Sequence, residues 1–306
     1  MESPFKPEIL KNRVALVTGG SSGIGLEIAR QLGLHGARVG ISGRRKDVLD
    51  AAVAALAAEG ITAVGLQGDV RSAASCEGWV ASLEERWGPG LDVLVNCAAG
   101  NFLATAEELT PNGFKTVMEI DTLGTFTMSR AAFPALRRST SPSGASVVNI
   151  SATLQYGATW WQAHASAAKS AVDSLTRSLA LEWGEFGVRV NGVAPGPIDG
   201  TAGMEKLAPG AKEFVQSTIP LRNQMGRKWD IAMAVVYLSS PAAAFVTGDV
   251  LVVDGAAWMW KPKLVERRQV SRASRGIEGK SRAVGLAAKG EAAKGQAAAA
   301  APMSKL

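Results

Sequence analysis

A doubly wound α/β fold, one parallel sheet with helices on both faces, is predicted by three observations. Short β-branched apolar runs alternate with apolar residues at helical spacing from Val14 to Val253. The first run, VALVT, breaks into GGSSGIG, a glycine turn that opens a helix. The chain is 47% hydrophobic yet has no apolar run long enough to span a bilayer, so its apolar residues go into a core. These features predict a Rossmann-like single domain over residues 13–260, with right-handed crossovers and a ligand site at the carboxyl ends of the strands. Residues 1–12 form a short arm before it, and residues 261–306 a flexible basic tail after it.

The strand at residues 14–18 suits burial on both faces. Gly19, Gly20, Gly23 and Gly25 let the backbone pass close to a pyrophosphate, whose charge falls on the positive end of a helix over residues 24–34. The turn from Thr18 to Ile24, with Ser21 and Ser22 inside it, is therefore the candidate dinucleotide cradle. Ile24, Ile28 and Leu32 give that helix its buried face.

A second strand, residues 38–42, runs into Gly43-Arg44-Arg45-Lys46. An NAD site places an acidic residue about twenty positions after the glycines to hold the ribose 2′-hydroxyl. Here that place is basic. An arginine fork suits a 2′-phosphate, each charge-assisted bond contributing roughly 1.5–3 kcal/mol, so Arg44 and Arg45 predict NADPH.

A helix over residues 47–58 and a strand over 62–66 lead into Gly68-Asp69-Val70-Arg71. A helix at 73–87 precedes a strand at 91–96 that ends in CAAGNF, with Asn101 and Phe102 toward the substrate side. A long helix from about residue 112 carries EIDTLGTF, and a strand follows at 146–150. The helix at 160–184 sets Ala168, Val172, Leu175 and Leu179 at helical spacing. A strand at 188–194 runs into PGPIDGT, residues 202–222 are expected to form a mobile lid, and a helix at 229–239 and a strand at 250–253 complete the sheet.

The net charge of +6 is unevenly divided. Residues 261–306 hold 11 Lys and Arg against 3 Asp and Glu, a local balance of +8, which leaves the preceding 260 residues at −2. A nearly neutral body argues against a nucleic-acid enzyme, and the Ala, Gly, Lys and Arg of the tail suit a solvated chain. Cys76 and Cys97 are too few for a disulfide framework, and two histidines add little, so no metal site is expected. MESPFKPEIL lacks the apolar segment of a secretory signal, and neither secretion nor membrane insertion is expected.

The spacing TGxxxGxG directly after a strand resembles the first βα turn of the short-chain dehydrogenase/reductase family, and the resemblance extends over residues 12–258. It implies that Asp69 bonds the adenine amino group and that Cys97-Ala98-Ala99-Gly100 lies along the adenine side of the cofactor. It further implies that Pro195, Gly196, Pro197, Ile198 and Thr201 form a loop beside the nicotinamide carboxamide and pyrophosphate, and that Lys169 binds the nicotinamide ribose.

The usual active site of that family has an Asn, a Ser, and a Tyr four residues before a Lys that lowers the phenol pKa. Lys169 matches the lysine, but Ala165 stands in the tyrosine position, Ala152 in the serine position and Asp121 in the asparagine position. This pattern, with CAAGNF, EIDTLGTF, NISATL, HASAAK and APGPI in order, resembles the 2,4-dienoyl-CoA reductases of peroxisomes. The resemblance implies NADPH-dependent reduction of a 2,4-dienoyl-CoA to a trans-3-enoyl-CoA in the degradation of unsaturated fatty acids. A ketone or 3-ketoacyl-CoA reductase of the same fold, and an NADPH-binding scaffold without turnover, are the alternatives.

Hydride delivered to the far end of a diene pushes charge onto the thioester oxygen, and the proton then goes to carbon. Asp121 and Lys169 are the expected catalytic pair, holding a water that donates this proton. Phe102, Thr110, Asn112 and Lys206 are candidate acyl-CoA contacts, and Arg71 is the candidate for the CoA phosphates. Tyr156 and His164 are candidate pocket walls that could also move protons, and Cys97 is read as packing. The final Ser304-Lys305-Leu306 reads as an address for a peroxisomal import receptor and predicts the peroxisomal matrix. The resemblance also implies a homotetramer built partly through the two long helices.

Overall fold

The computed structural model describes residues 2–207, 210–270 and 274–275. Met1–Trp260 form one unit and Lys261–Leu306 another. Side chains at 261–270 are exposed, and the tripeptide Ser304-Lys305-Leu306 lies outside the described residues. In the first unit Leu10 of the amino-terminal arm is buried, and its N–H donates to the His35 carbonyl.

Seven parallel strands are ordered β3-β2-β1-β4-β5-β6-β7. They are β1 (Val14–Thr18), β2 (Arg38–Gly43), β3 (Ala63–Gln67), β4 (Val93–Asn96), β5 (Ala145–Ile150), β6 (Val188–Pro195) and β7 (Val250–Val253). β1, β4, β5 and β6 are buried along their whole length, because helices cover both faces. On one face, Ile28 and Leu32 of α1 (Gly23–Leu34), Leu49 and Leu56 of α2 (Lys46–Ala58) and the last long helix, Lys228–Ser239, pack on Val17, Ile41 and Val95. On the other, α3 (Ala73–Trp87) and the helices after β4 and β5 bring Leu83, Met128 and Leu179 onto Leu16, Leu94 and Val147. The strand order reverses between β1 and β4, which opens the crevice where such folds bind ligands.

Two helices differ from expectation in ways that shape the site. The long helix after β4 is α4 (Pro111–Val117), a π-helical turn (Met118–Leu123) and α5 (Gly124–Leu136). The widened turn carries Asp121, and such turns recur at functional sites. After β5 a short α6 (Leu154–Gly157) precedes α7, which spans Ala163–Trp183 rather than starting at Trp160. Trp160 and Trp161 stay outside and exposed because the chain there pairs with the loop after β4, Ala104 N–H donating to the Trp161 carbonyl at 3.0 Å. The expected lid contains α8 (Ala202–Leu207) and α9 (Lys212–Ser217).

Candidate active site

The glycine turn after β1 closes tightly. A Cβ on Gly25 would come within 2.4 Å of the Gly19 carbonyl oxygen, while one on Gly23, at φ +59°, would face open space. Ser22 makes no side-chain cap, and no acidic residue stands in the first turn of α1. The helix therefore presents uncompensated N–H groups and the positive end of its dipole to the crevice, with Ser21 and Ile24 partly exposed beside them. At the end of β2, Arg44 and Arg45 are exposed and no ion pair involves them among the described residues, whereas Lys46 is held by Asp50 at 2.7 Å. An open phosphate cradle followed by two unengaged guanidiniums fits a phosphorylated dinucleotide.

Thr18 closes β1 at the start of the glycine turn. Its buried hydroxyl accepts from the N–H groups of Cys97 and Ala98 at 3.0 and 3.1 Å, so it ties the glycine turn to the loop after β4 and acts by positioning. Arg71, the candidate for the CoA phosphates, clasps Asp69 with its guanidinium, Nη2 lying 2.7 Å from Oδ2. The bond from Arg71 holds the Asp69 carboxyl below the usual range, and a CoA phosphate would compete with Asp69 for this cation. Ile198 packs its side chain in the core, and the Thr201 hydroxyl donates to the Ile198 carbonyl while accepting from Met204 N–H at the start of α8. Only the backbone of Ile198 is left to meet a cofactor. Pro195 ends β6, the Gly196 N–H donates to Val253, and the Pro197 carbonyl accepts from Gly226 N–H, so this loop is fixed at the mouth of the crevice.

The centre of the crevice is a buried ion pair. Asp121 is 2% exposed, and its Oδ2 lies 3.0 Å from Lys169 Nζ. The other oxygen, Oδ1, accepts from the Gly100 N–H at 2.7 Å. Lys169 Nζ donates in turn to the Ile150 carbonyl at 3.0 Å, anchoring the ammonium at the end of β5. Each group reaches this point by its element: the π turn for Asp121, the buried face of α7 for Lys169, the loop after β4 for Gly100. Ala165, 2% exposed, sits on the same helix where a phenol would otherwise project.

Sequence reading missed the polar frame behind this pair. Asn96 and Asn149 are register partners on β4 and β5, and Asn96 Nδ2 donates both to Asn149 Oδ1 and to Ser129 Oγ of α5. Asn149 Nδ2 reaches Thr176 Oγ1 of α7, so the two helices carrying the ion pair are pinned to adjacent strands. A second missed cluster joins Ser151 and Gln155 to the buried carboxylate of Asp173. Asparagine inside two apolar strands was the available signal for the first. Nothing local marked the second.

Phe102 lies on the ring of His164 with centroids 4.3 Å apart, and Asn101 Nδ2 donates to Gln162 Oε1 at 2.6 Å. Thr110 caps α4 by accepting from Gly113 N–H, and Asn112 stands exposed in the first turn of that helix. The side chain of Lys206 lies outside the described residues. Tyr156 packs edge-on against Trp258 at 5.4 Å, and burial raises its pKa, which makes the phenol a poorer acid. Burial also pushes the Cys97 thiol up to about 11, so it is a protonated packing group at neutral pH.

The chain is similar to known proteins over most of its length. The family described as Enoyl-(Acyl carrier protein) reductase matches residues 19–256. The Arabidopsis thaliana protein named peroxisomal 2,4-dienoyl-CoA reductase, (3E)-enoyl-CoA-producing, is 52% identical over 297 residues, covering 94% of this chain and 98% of that protein. Its namesake from Pongo abelii is 44% identical over 264 residues, 86% of this chain and 89% of that protein. A crystal structure of a short chain dehydrogenase from Bacillus anthracis superposes with a TM-score of 0.74 at 32% identity, covering 83% of this chain and all of that one. The match over most of the length, joined to the glycine cradle and the lysine of α7, shows that the chain belongs to the short-chain dehydrogenase/reductase family, in the group of the 2,4-dienoyl-CoA reductases.

Proposed function

We propose that this chain reduces 2,4-dienoyl-CoA thioesters to trans-3-enoyl-CoA with NADPH, in the degradation of unsaturated fatty acids. The observation that carries the reading is the buried Asp121–Lys169 pair standing where alanine has replaced the phenol. NADPH, when bound, supplies the hydride. Reduction of an isolated ketone needs an acid at the oxygen, which Ala165 and Ala152 do not provide. A conjugated thioester instead takes its proton on carbon, after the charge has been spread to the thioester oxygen. Asp121 and Lys169 orient the water that gives this proton. Lys169 spends two N–H bonds on Asp121 and Ile150, and the third is available to the nicotinamide ribose.

The assay is NADPH oxidation with 2,4-hexadienoyl-CoA and, separately, a 3-ketoacyl-CoA. Turnover of the dienoyl substrate alone is expected; turnover of the ketone alone would replace the reading with a carbonyl reductase, and binding without turnover with a scaffold. For cofactor choice, Arg44→Ala and Arg45→Ala are each expected to weaken NADPH binding about 10–100-fold while leaving NADH little changed, as loss of a charge-assisted bond requires. An unaltered ratio of the two affinities in both variants would remove the 2′-phosphate contact.

A homotetramer is the proposed assembly, supported by the exposed Leu123 and Phe126 beside the π turn and Leu181 on α7. The peroxisomal matrix is the proposed location, supported by the names of the relatives and by Ser304-Lys305-Leu306 as the receptor-read address. A cytosolic reporter fused to residues 261–306 should become punctate; a diffuse reporter would oppose this.

A further inference from the structure

His164 is the second residue of α7 and is completely buried, yet neither Nδ1 nor Nε2 has a hydrogen-bond partner. The Phe102 backbone comes near enough to favour the charged ring slightly but makes no bond of proper geometry. Beside it the Oδ1 of Asn101 is likewise unpartnered. Buried polar atoms without partners are uncommon, and three clustered next to the Asp121 site call for a partner that arrives with the substrate. Desolvation lowers the His164 pKa, with Asp121 pulling weakly the other way, so the ring is neutral at pH 7 and offers one N–H donor. Phe102, 39% exposed, separates the imidazole from solvent.

The reaction proposed above leaves the thioester oxygen without a donor. Asp121 carries no proton to give in that scheme, Lys169 is committed to Asp121, Ile150 and the ribose, and the side chains of Ala152 and Ala165 have no polar atom. We infer that His164 donates its imidazole N–H to the thioester oxygen of the bound dienoyl group, reached when the acyl chain displaces the ring of Phe102. This rests on the dienoyl-CoA reading. Hydride adds at C5, the C4–C5 π pair becomes the C3–C4 double bond, the C2–C3 pair moves to C1–C2, and the carbonyl pair goes to oxygen. The His164 proton stays on nitrogen throughout. The Asp121-held water then protonates C2, the hydroxide it leaves takes a proton from solvent, and the carbonyl is restored.

His164→Leu is expected to lose about 10²–10³ in kcat, as removal of an oxyanion donor does, with the NADPH dissociation constant unchanged. His164→Gln, which keeps an N–H, should recover part of that loss. In the wild-type complex with NADP⁺, the ultraviolet band of bound 2,4-hexadienoyl-CoA should shift to longer wavelength as its carbonyl is polarised, and this shift should vanish in the leucine variant. A role in packing alone would not move that band. If the leucine variant does not fold, His164→Met fills the space without a donor and is read the same way. Full turnover and an intact band shift without the imidazole would overturn the inference alone. A wild type inactive on the dienoyl substrate would overturn the reading beneath it as well.

Discussion

Asp121→Ala is expected to lower dienoyl-CoA turnover by about 10²–10⁴ while NADPH affinity stays close to wild type. The asymmetry follows from where the carboxylate sits. It contacts the Lys169 ammonium and the Gly100 N–H, whereas the glycine turn and the arginines after β2 are built from other elements. Asp121→Asn tests the charge apart from the shape: its oxygen can still accept from Gly100, but its amide turns donors toward the ammonium. It should be nearly as slow as the alanine variant. Cofactor binding is read by fluorescence and turnover by NADPH consumption. Unchanged turnover would remove Asp121 from the chemistry, and a parallel loss of cofactor affinity would reduce it to a strut.

The second large effect is on stability. Lys169→Met leaves a carboxylate that is 2% exposed without its cation and the Ile150 carbonyl without its donor, a change expected to cost about 3–5 kcal/mol. For a domain of this size that is a fall in Tm of roughly 6–20 °C, and turnover should collapse with it. Adding Asp121→Leu to Lys169→Met removes the stranded charge. The double variant should regain much of the lost stability and none of the activity, because exchanging both partners of a buried pair for apolar groups is close to neutral. Denaturant midpoints for the two single variants and the double give the coupling. A double variant no more stable than Lys169→Met would mean that the pair is not the unit it looks to be.

Much of the site was readable because its signals are local. A glycine turn after a buried strand, basic residues at the end of the next, and a lysine on an apolar helix are each set by neighbours in the chain. Even so, local reading did not show what holds Thr18, Ile198 and Arg71. Their partners, Cys97 and Ala98 for Thr18 and the core for Ile198, come from distant segments, and the Asp69–Arg71 clasp depends on how the loop after β3 turns back on itself. The π turn was not legible either, because a widened turn is defined by the backbone bonds it makes, and its Thr122 hydroxyl reaches the Ala168 carbonyl of α7, a segment distant in the chain.

The sequence by itself determined the order and type of the elements, the parallel doubly wound sheet, the phosphate cradle, and the absence of the phenol ahead of Lys169, because periodicity, backbone freedom and residue identity are properties of short stretches. Only the tertiary structure decided that the Asp121 carboxylate is buried, gripped by Gly100 and 3.0 Å from Lys169, and that His164 is buried with both nitrogens unspent. Burial and charge pairing are made by segments far apart in the chain, and their energies depend on the water excluded when those segments close together.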